Sequence, residues 1–545
     1  MALVSAGMGD LPPRLRAACD MDVADMRELS GRHEYDGLIQ DLSPDGVRAG
    51  LSTLGAGPAE RRGAAALGAL EAGAAARPGA SQDQAQLAAT EECLRTRFGH
   101  VEQHRWDPIL HLEAMDLSCY NREYAPGEQR ALARRQQLAA WPEAARAAIA
   151  ALDQVSALAA SGLLPAVRGL AAGIGPDVTG PLRDRAIAAH ARLAAHLERA
   201  AAGSEVPFAL GSARLTALLS ATGAMQVDVG ALAARAEAER GRLAGRLAAD
   251  CARIGPGRRP FDLVRELADD HPGPDGVLPA ARAWADRLIA FTRERGLVPY
   301  HDGEFRVVPA PDSRRWARAM TVTAAPGEPD NPSWFYVSPP DPSWPADRAA
   351  EWLRAFSAIT LPAMTANQVA PGHFCRARAA RRVSGTVRRT LLSWPTVVGW
   401  AHYAEELCVD EGFCAADPRF AIGVWLSALV RVTRLACALG LHTGALTLAG
   451  AVRRFEADTH LSGAAARAEA ERAAFDPLAG RFTWGKLEIL ALRERARRLW
   501  GAGFTLRRFH AAVLGLGSPP LGLLGAALQP EQPARTGTPG DLTVT

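Results

Sequence analysis

The 545-residue sequence predicts a mainly α fold, a large helical array carrying one small β-sheet. Long runs rich in Ala, Leu, Arg and Glu set apolar residues at helical spacing, as in "RALARRQQLAAWPEAARAAIAALDQVSALAA" and "DRAIAAHARLAAHLERAAAG". Pro and Gly clusters punctuate them at "PAVRGLAAGIGPDVTGP", "RIGPGRRPFD" and "HPGPDGVLP", and the next helices open on Asp or Pro. Between 304 and 340 the texture changes. "EFRVVPAP", "AMTVTAAPG" and "SWFYVSPP" are short β-branched or aromatic runs closed by Pro and Gly, which predict two or three short strands.

Taken in order, residues 1–30 read as an N-terminal extension and 30–525 as a single helical domain. Within that domain, 30–297 is the helical array and 298–525 combines the sheet with a second set of helices. The tail 526–545, rich in Pro, Gly and Thr, reads as disordered. Ala-rich runs near 63–80 and 463–474 show no fixed period, so a solenoid is not expected.

Composition excludes several functions. A net charge of +3 supplies no sustained positive field, so no nucleic-acid partner is expected. No window approaches 18 uncharged apolar residues; the nearest, "VSALAASGLLPAVRGLAAGIG", contains Pro165 and Arg168, so no membrane span is expected either. The first residues lack a basic start followed by an apolar run, which predicts a cytoplasmic protein. Eight cysteines without a CxxC pair argue for reduced, buried thiols rather than a zinc cluster or a disulfide scaffold.

The stretch "TANQVAPGHFCRAR", Thr365 to Arg378, interrupts a helix with Pro371-Gly372 and sets two amides, Asn367 and Gln368, before His373. Helix interiors lose roughly 3 kcal/mol to Pro and about 1 kcal/mol to Gly relative to Ala, so the break needs a reason. Asn367 and His373 lie about 240° apart on a regular helix and converge only if the backbone is rewound, which Pro-Gly permits.

These segments resemble the bacterial metallopeptidase-like family called domain of unknown function 885, a mainly helical group related to the zincins. Its HExYPGHH, EGWALYAE, DTGxH and YxxG segments are matched here, in order, by "NQVAPGHF", "VGWAHYAEEL", "ALGLH" and "FTWGKLEILALRERAR". "HEYDGLIQDLSPDGVRAGL" resembles the family's opening and "PSWFYVSPPDP" its strand before the active-site helix. The resemblance spans roughly residues 30 to 525 and implies a zincin-like architecture, a zinc ion and peptide hydrolysis. On the residues themselves it implies something else. Asn367 stands at the first histidine ligand, Gln368 at the catalytic glutamate and Val398 at a glutamate ligand; Ala438 and Phe482 replace the aspartate of DTGxH and the tyrosine. Gly372, His373, Gly399, Trp400, Tyr403, Glu405, Gly440, His442 and Gly485 are kept.

A catalytic zinc takes three protein ligands and an open position for water, and one of the three remains. Gln368 cannot accept a proton, which removes a contribution of typically about 10²- to 10⁴-fold from general-base catalysis. The expectation is therefore an inactive pseudopeptidase that keeps a peptide-sized cleft, with Gln368, His373, Tyr403 and His442 at the catalytic positions and no cofactor. The alternative is an active metal-dependent peptidase or amidohydrolase with zinc on a relocated set of His373, His402 and Glu405, since Val398, His402 and Glu405 share one helical face. A thiol mechanism through Cys375 or Cys437 and a scaffold with no cleft ligand are further alternatives. The arginines of "RARAARR" read as a solvated helix face or, alternatively, as a carboxylate or phosphate clamp.

Overall fold

The computed structural model describes residues 10–55, 80–310, 318–329 and 332–529; most of the 63–80 run and the tail beyond 529 lie outside them. The chain is mainly helical. Residues 10–30 pack inward: Leu15, Ala18, Cys19 and Met26 are buried together with Leu87, Leu94 and Leu391. Helices Gly127–Ala151, Ala157–Gly169 and Gly180–Gly203 follow, with Trp141, Leu138, Leu193 and Leu197 in their shared core.

Helix Arg419–Thr443 is the axis of the remainder. It lies against Val229–Ile254 and touches Thr360–Gln368, Trp394–Asp410, Leu448–Asp458, Gly463–Phe475 and Arg481–Trp500. It is long and apolar enough to cross a membrane, yet most of its surface is buried by those helices, as in the core helix of a globular fold. Judged by apolar length, this helix and not the stretch near 155–175 is the one to test.

Three strands form the predicted sheet: β1 (Phe305–Pro309), β2 (Ala319–Val322) and β3 (Ser333–Val337), in the order β1-β3-β2. β1 runs parallel to β3 with Phe305 opposite Ser333, and β2 runs antiparallel with Thr321 opposite Phe335. Along β3 the alternation of side chains buries Ser333, Phe335 and Val337 and leaves Trp334 and Tyr336 half-buried. β2 is left as an edge.

The Pro-Gly break folds the chain back on itself. Helix Thr360–Gln368 ends, the backbone passes a cis Ala370–Pro371 bond, and a new helix opens at His373 and runs to Ala380. A Cβ on Gly372 would sit 1.9 Å from the Asn367 carbonyl oxygen, so this reversal excludes every side chain. Trp400 closes it from outside, its indole N–H donating to the Pro371 carbonyl at 3.0 Å. Helix Trp394–Asp410, which carries Trp400, crosses Arg481–Trp500 backbone to backbone: a Cβ on Gly399 would lie 2.6 Å from the Gly485 Cα.

Two of the glycines kept in the resemblance thus form one helix crossing, and neither neighbour is a movable side-chain tip. Gly399→Ala is expected to destabilise the protein by about 3 kcal/mol, read as a lower urea midpoint at unchanged slope. A loss below about 0.5 kcal/mol would contradict the contact.

Candidate functional site

Helix 394–410 presents His402 and Glu405, one turn apart and both buried, toward helix 419–443. There Arg431 meets them. Its Nη1 donates to Glu405 Oε2 at 2.6 Å and lies 3.0 Å from His402 Nδ1, which is itself 3.1 Å from the same carboxylate oxygen. His402 Nδ1 can donate to Glu405 or accept from Arg431, not both, and either choice leaves the three groups locked together. The guanidinium also sits over the ring of Phe482, 5.5 Å from its centroid. Burial would raise the Glu405 carboxyl, but Arg431 and then His402 hold it below its ordinary value. Burial, with Lys486 and Arg431 behind it, pushes His402 down to about 4.

His373 stands at the opening of helix 373–380, half-buried, in the same field. Burial, Arg376 and Arg431 push its pKa down to about 3 against the pull of Glu405. Of the relocated set, His402 and Glu405 meet, and a guanidinium already claims both of them. Asn367 offers a neutral amide whose Nδ2 is buried without a partner, and Val398 is a buried aliphatic side chain. Among the described residues no group of three or more His, Cys, Asp or Glu is arranged to hold a metal ion. The donors present do not fit a catalytic zinc, because an internal cation faces the carboxylate that would have to ligate it.

Gln368 has a definite task. Its Oε1 accepts from the Thr321 N–H on edge strand β2 at 2.9 Å, and Thr321 Oγ1 donates back to the Gln368 carbonyl at 2.8 Å. The amide staples a helix end to a sheet edge. Tyr403 and His442 are engaged elsewhere. Tyr403 is fully buried, its hydroxyl 2.8 Å from His510 Nε2 and 3.3 Å from Arg493 Nη1, while His510 Nδ1 lies 2.5 Å from the Leu297 carbonyl. With His510 held neutral, its pKa pushed down to about 4 by burial, the tyrosine donates to Nε2 and the group pins three segments. His442 Nδ1 accepts from the Leu210 N–H at 3.3 Å, and the ring stands edge-on to Phe208. Phe208 and Leu210 line a cavity of about 290 Å³ with Trp106, Gln154, Arg214 and Phe475, in which none of the expected site residues takes part.

Electrostatics disfavours the thiol alternative. Burial raises Cys437 to about 12 and Cys375 still further, which opposes formation of a thiolate at either. The "RARAARR" face is not simply solvated either. Arg378 and Arg382 reach Asp302, and Arg381 donates to the carbonyls of Ala325 and Glu328 at 2.7 and 2.8 Å. Arg376 donates to Ser518 Oγ at 3.3 Å.

Sequence reasoning passed over Arg431 and Lys486. Lys486 is the only lysine in the chain, and it is fully buried. Its Nζ lies 2.5 Å from Glu406 and 2.9 Å from Glu239, with Arg242 bonded to both carboxylates. Burial would raise the Glu406 carboxyl, yet Lys486 and Arg242 hold it down to about 2. The singularity of that lysine was a visible signal; the role of Arg431 was hidden among its many fellow arginines.

The buried histidines make stability depend on pH with a definite sign. His111, His402 and His510 are pushed down to about 4 in the folded chain, from an ordinary 6.5. Between those values the unfolded chain binds more protons, so this stability is complete above pH 6.5 and is lost as pH falls toward 4. His33, which Asp36 and Glu328 raise despite burial, works in the opposite sense. Each depressed histidine contributes about 1.4 kcal/mol per pH unit in that window. The carboxyls of Asp107 and Glu113, which desolvation raises to about 6 and about 7, also favour the folded chain as pH falls, so the test is a difference. In urea unfolding, His111→Gln should make the change in stability from pH 7 to pH 5 less unfavourable by about 2 kcal/mol. An unchanged pH dependence would contradict a neutral imidazole buried there.

The sequence matches no curated protein. Solved structures share the fold, two of them from the genera Shewanella and Colwellia. One, from Shewanella oneidensis and described as a "putative lipoprotein of unknown function", superposes with a TM-score of 0.72 at 16% identity over 95% of this chain and 99% of that one. The other, from Colwellia psychrerythraea and also described as a "putative lipoprotein", gives 0.70 at 16% identity with the same coverage. Those descriptions overturn the expectation of a cytoplasmic protein. The sequence profile of a family described as "Bacterial protein of unknown function (DUF885)" matches residues 26–528, and this chain belongs to that family.

Proposed function

We propose that this protein is a non-hydrolytic relative of a zincin-like metallopeptidase, which binds a peptide without cleaving it. The observation that carries this reading is the closed set of Arg431, Glu405 and His402, in which the positive charge that a peptidase would take from zinc comes from the chain itself. Gln368 supports it from the other side. Where the resemblance implies a general base, its amide oxygen holds the N–H of Thr321, an acceptor role that a peptide carbonyl would otherwise fill on an edge strand. A peptide that pairs with β2 must displace this side chain or bind beside it. The description of the fold neighbours as lipoproteins supports an extracytoplasmic setting.

Protein purified without chelator and equilibrated with zinc should retain far less than one ion per chain and should not cleave a mixture of peptides. About one zinc per chain, lost in His402→Ala together with peptide turnover, would overturn the proposal and install the relocated site in its place.

A further inference from the structure

The cavity of about 290 Å³ beside His442 has an aromatic wall whose rings are fixed in place. Its volume lies near the roughly 300 Å³ at which small-molecule sites begin. The three rings, those of Trp106, Phe208 and Phe475, are half-buried and come from distant parts of the chain. Each is held by a contact of its own. The Trp106 indole N–H donates to the Val101 carbonyl at 3.0 Å. Phe208 stands edge-on to the His442 ring with 6.4 Å between centroids. Phe475 lies against Gly162, where a Cβ would come 2.9 Å from the ring. Rings already held in position bind an apolar ligand without first losing conformational freedom.

One side chain gives this lining a charge. Gln154 and Ser156 are neutral, Arg214 is the only charged residue that lines the cavity, and no carboxylate lines it. The Arg214 Nη2 donates to the Val101 carbonyl, the same acceptor that takes the Trp106 indole, so one backbone oxygen of a buried residue sets the cation beside the ring. That bond engages one of five N–H donors. Among the described residues no carboxylate pairs with Arg214. Asp107, Asp153 and Asp476 adjoin lining residues in sequence but are bonded elsewhere, to Gln103 at 2.8 Å, to Arg105 at 2.7 Å and to Arg481. A guanidinium without a carboxylate, set on an apolar wall, is the arrangement that an anion completes, because charge-assisted hydrogen bonds strengthen where water is displaced.

We propose that this cavity binds a small aromatic monocarboxylic acid, with the carboxylate on Arg214 and the ring among Trp106, Phe208 and Phe475. The lining holds a single cation, which a monoanion neutralises and a phosphate dianion would exceed. A guanidinium also offers its N–H groups as a planar fork that matches a carboxylate. Three aromatic faces select a ring over a short aliphatic chain. The proposal does not rest on the peptide-binding reading above, since none of the residues invoked there lines this cavity.

The test uses the full chain at neutral pH and constant ionic strength, with four probes: phenylacetate, phenylacetamide, acetate and phenyl phosphate. Phenylacetate should raise the melting temperature and bind about tenfold or more tightly than the amide or acetate. Arg214→Gln should bring the acid down to the level of the amide, and Arg214→Lys, which keeps the charge and loses the fork, should retain part of the preference. Acid and amide binding alike, or an acid preference that survives Arg214→Gln, would overturn the role of the guanidinium and with it the proposal. Acetate binding as tightly as phenylacetate would overturn the aromatic selection, and tighter binding of phenyl phosphate would overturn the assignment to a carboxylate. No stabilisation by any of the four would overturn the site itself.

Discussion

The second half of the fold is organised around two adjacent carboxylates buried on one helix. Glu405 and Glu406, consecutive on helix 394–410, are 0% and 5% exposed, and consecutive helical residues point in different directions. Each must find its own cation in the interior, because an unpaired buried charge costs several kcal/mol. Glu406 takes Lys486 and Arg242, which ties helix 394–410 to helices 481–500 and 229–254. Glu405 takes Arg431, which ties it to helix 419–443. Gly399 and Gly485 allow the approach that makes the first of these ties reachable.

This constraint governs the chemistry of the site. A carboxylate held by a guanidinium inside the protein is poorly placed to ligate a divalent ion, and the histidine beside it is committed to the same pair. Nor are the neighbouring positions idle. Gln368 staples helix 360–368 to β2, and Phe482 presents its ring to the Arg431 guanidinium. Gln368 and Phe482, which depart from the pattern that the resemblance implies, are thus tied into hydrogen bonding and packing.

Much of the fold was legible because its signals are local. Helical periodicity with Pro and Gly punctuation marks the array, and the β-branched runs at 305–309, 319–322 and 333–337 are the three strands observed. The break at Pro371-Gly372 was legible as the end of one helix, and the need for glycine there follows from the close approach of the Asn367 carbonyl. The partners were not legible. Nothing in the spacing of "VGWAHYAEEL" says that the cation for Glu405 comes from Arg431, 26 positions later, or that the cations for Glu406 come from residues 242 and 486. Tyr403 was placed at a reaction centre by resemblance, and its bond to His510, 107 positions away, depends on tertiary packing that local pattern does not encode. The arginines of "RARAARR" look equivalent in sequence, and only the fold separates Arg376, which meets a hydroxyl, from the three that reach a carboxylate or backbone carbonyls.

The central claim is that Arg431 and Glu405 neutralise each other inside the protein. A double-mutant cycle of Arg431→Met and Glu405→Gln, followed by urea unfolding at neutral pH, measures that interaction directly. The account predicts a coupling free energy of at least about 2 kcal/mol, with the double variant more stable than the sum of the single losses implies. A coupling near zero would mean that the carboxylate is compensated by something else, and the case against a metal at that position would fall.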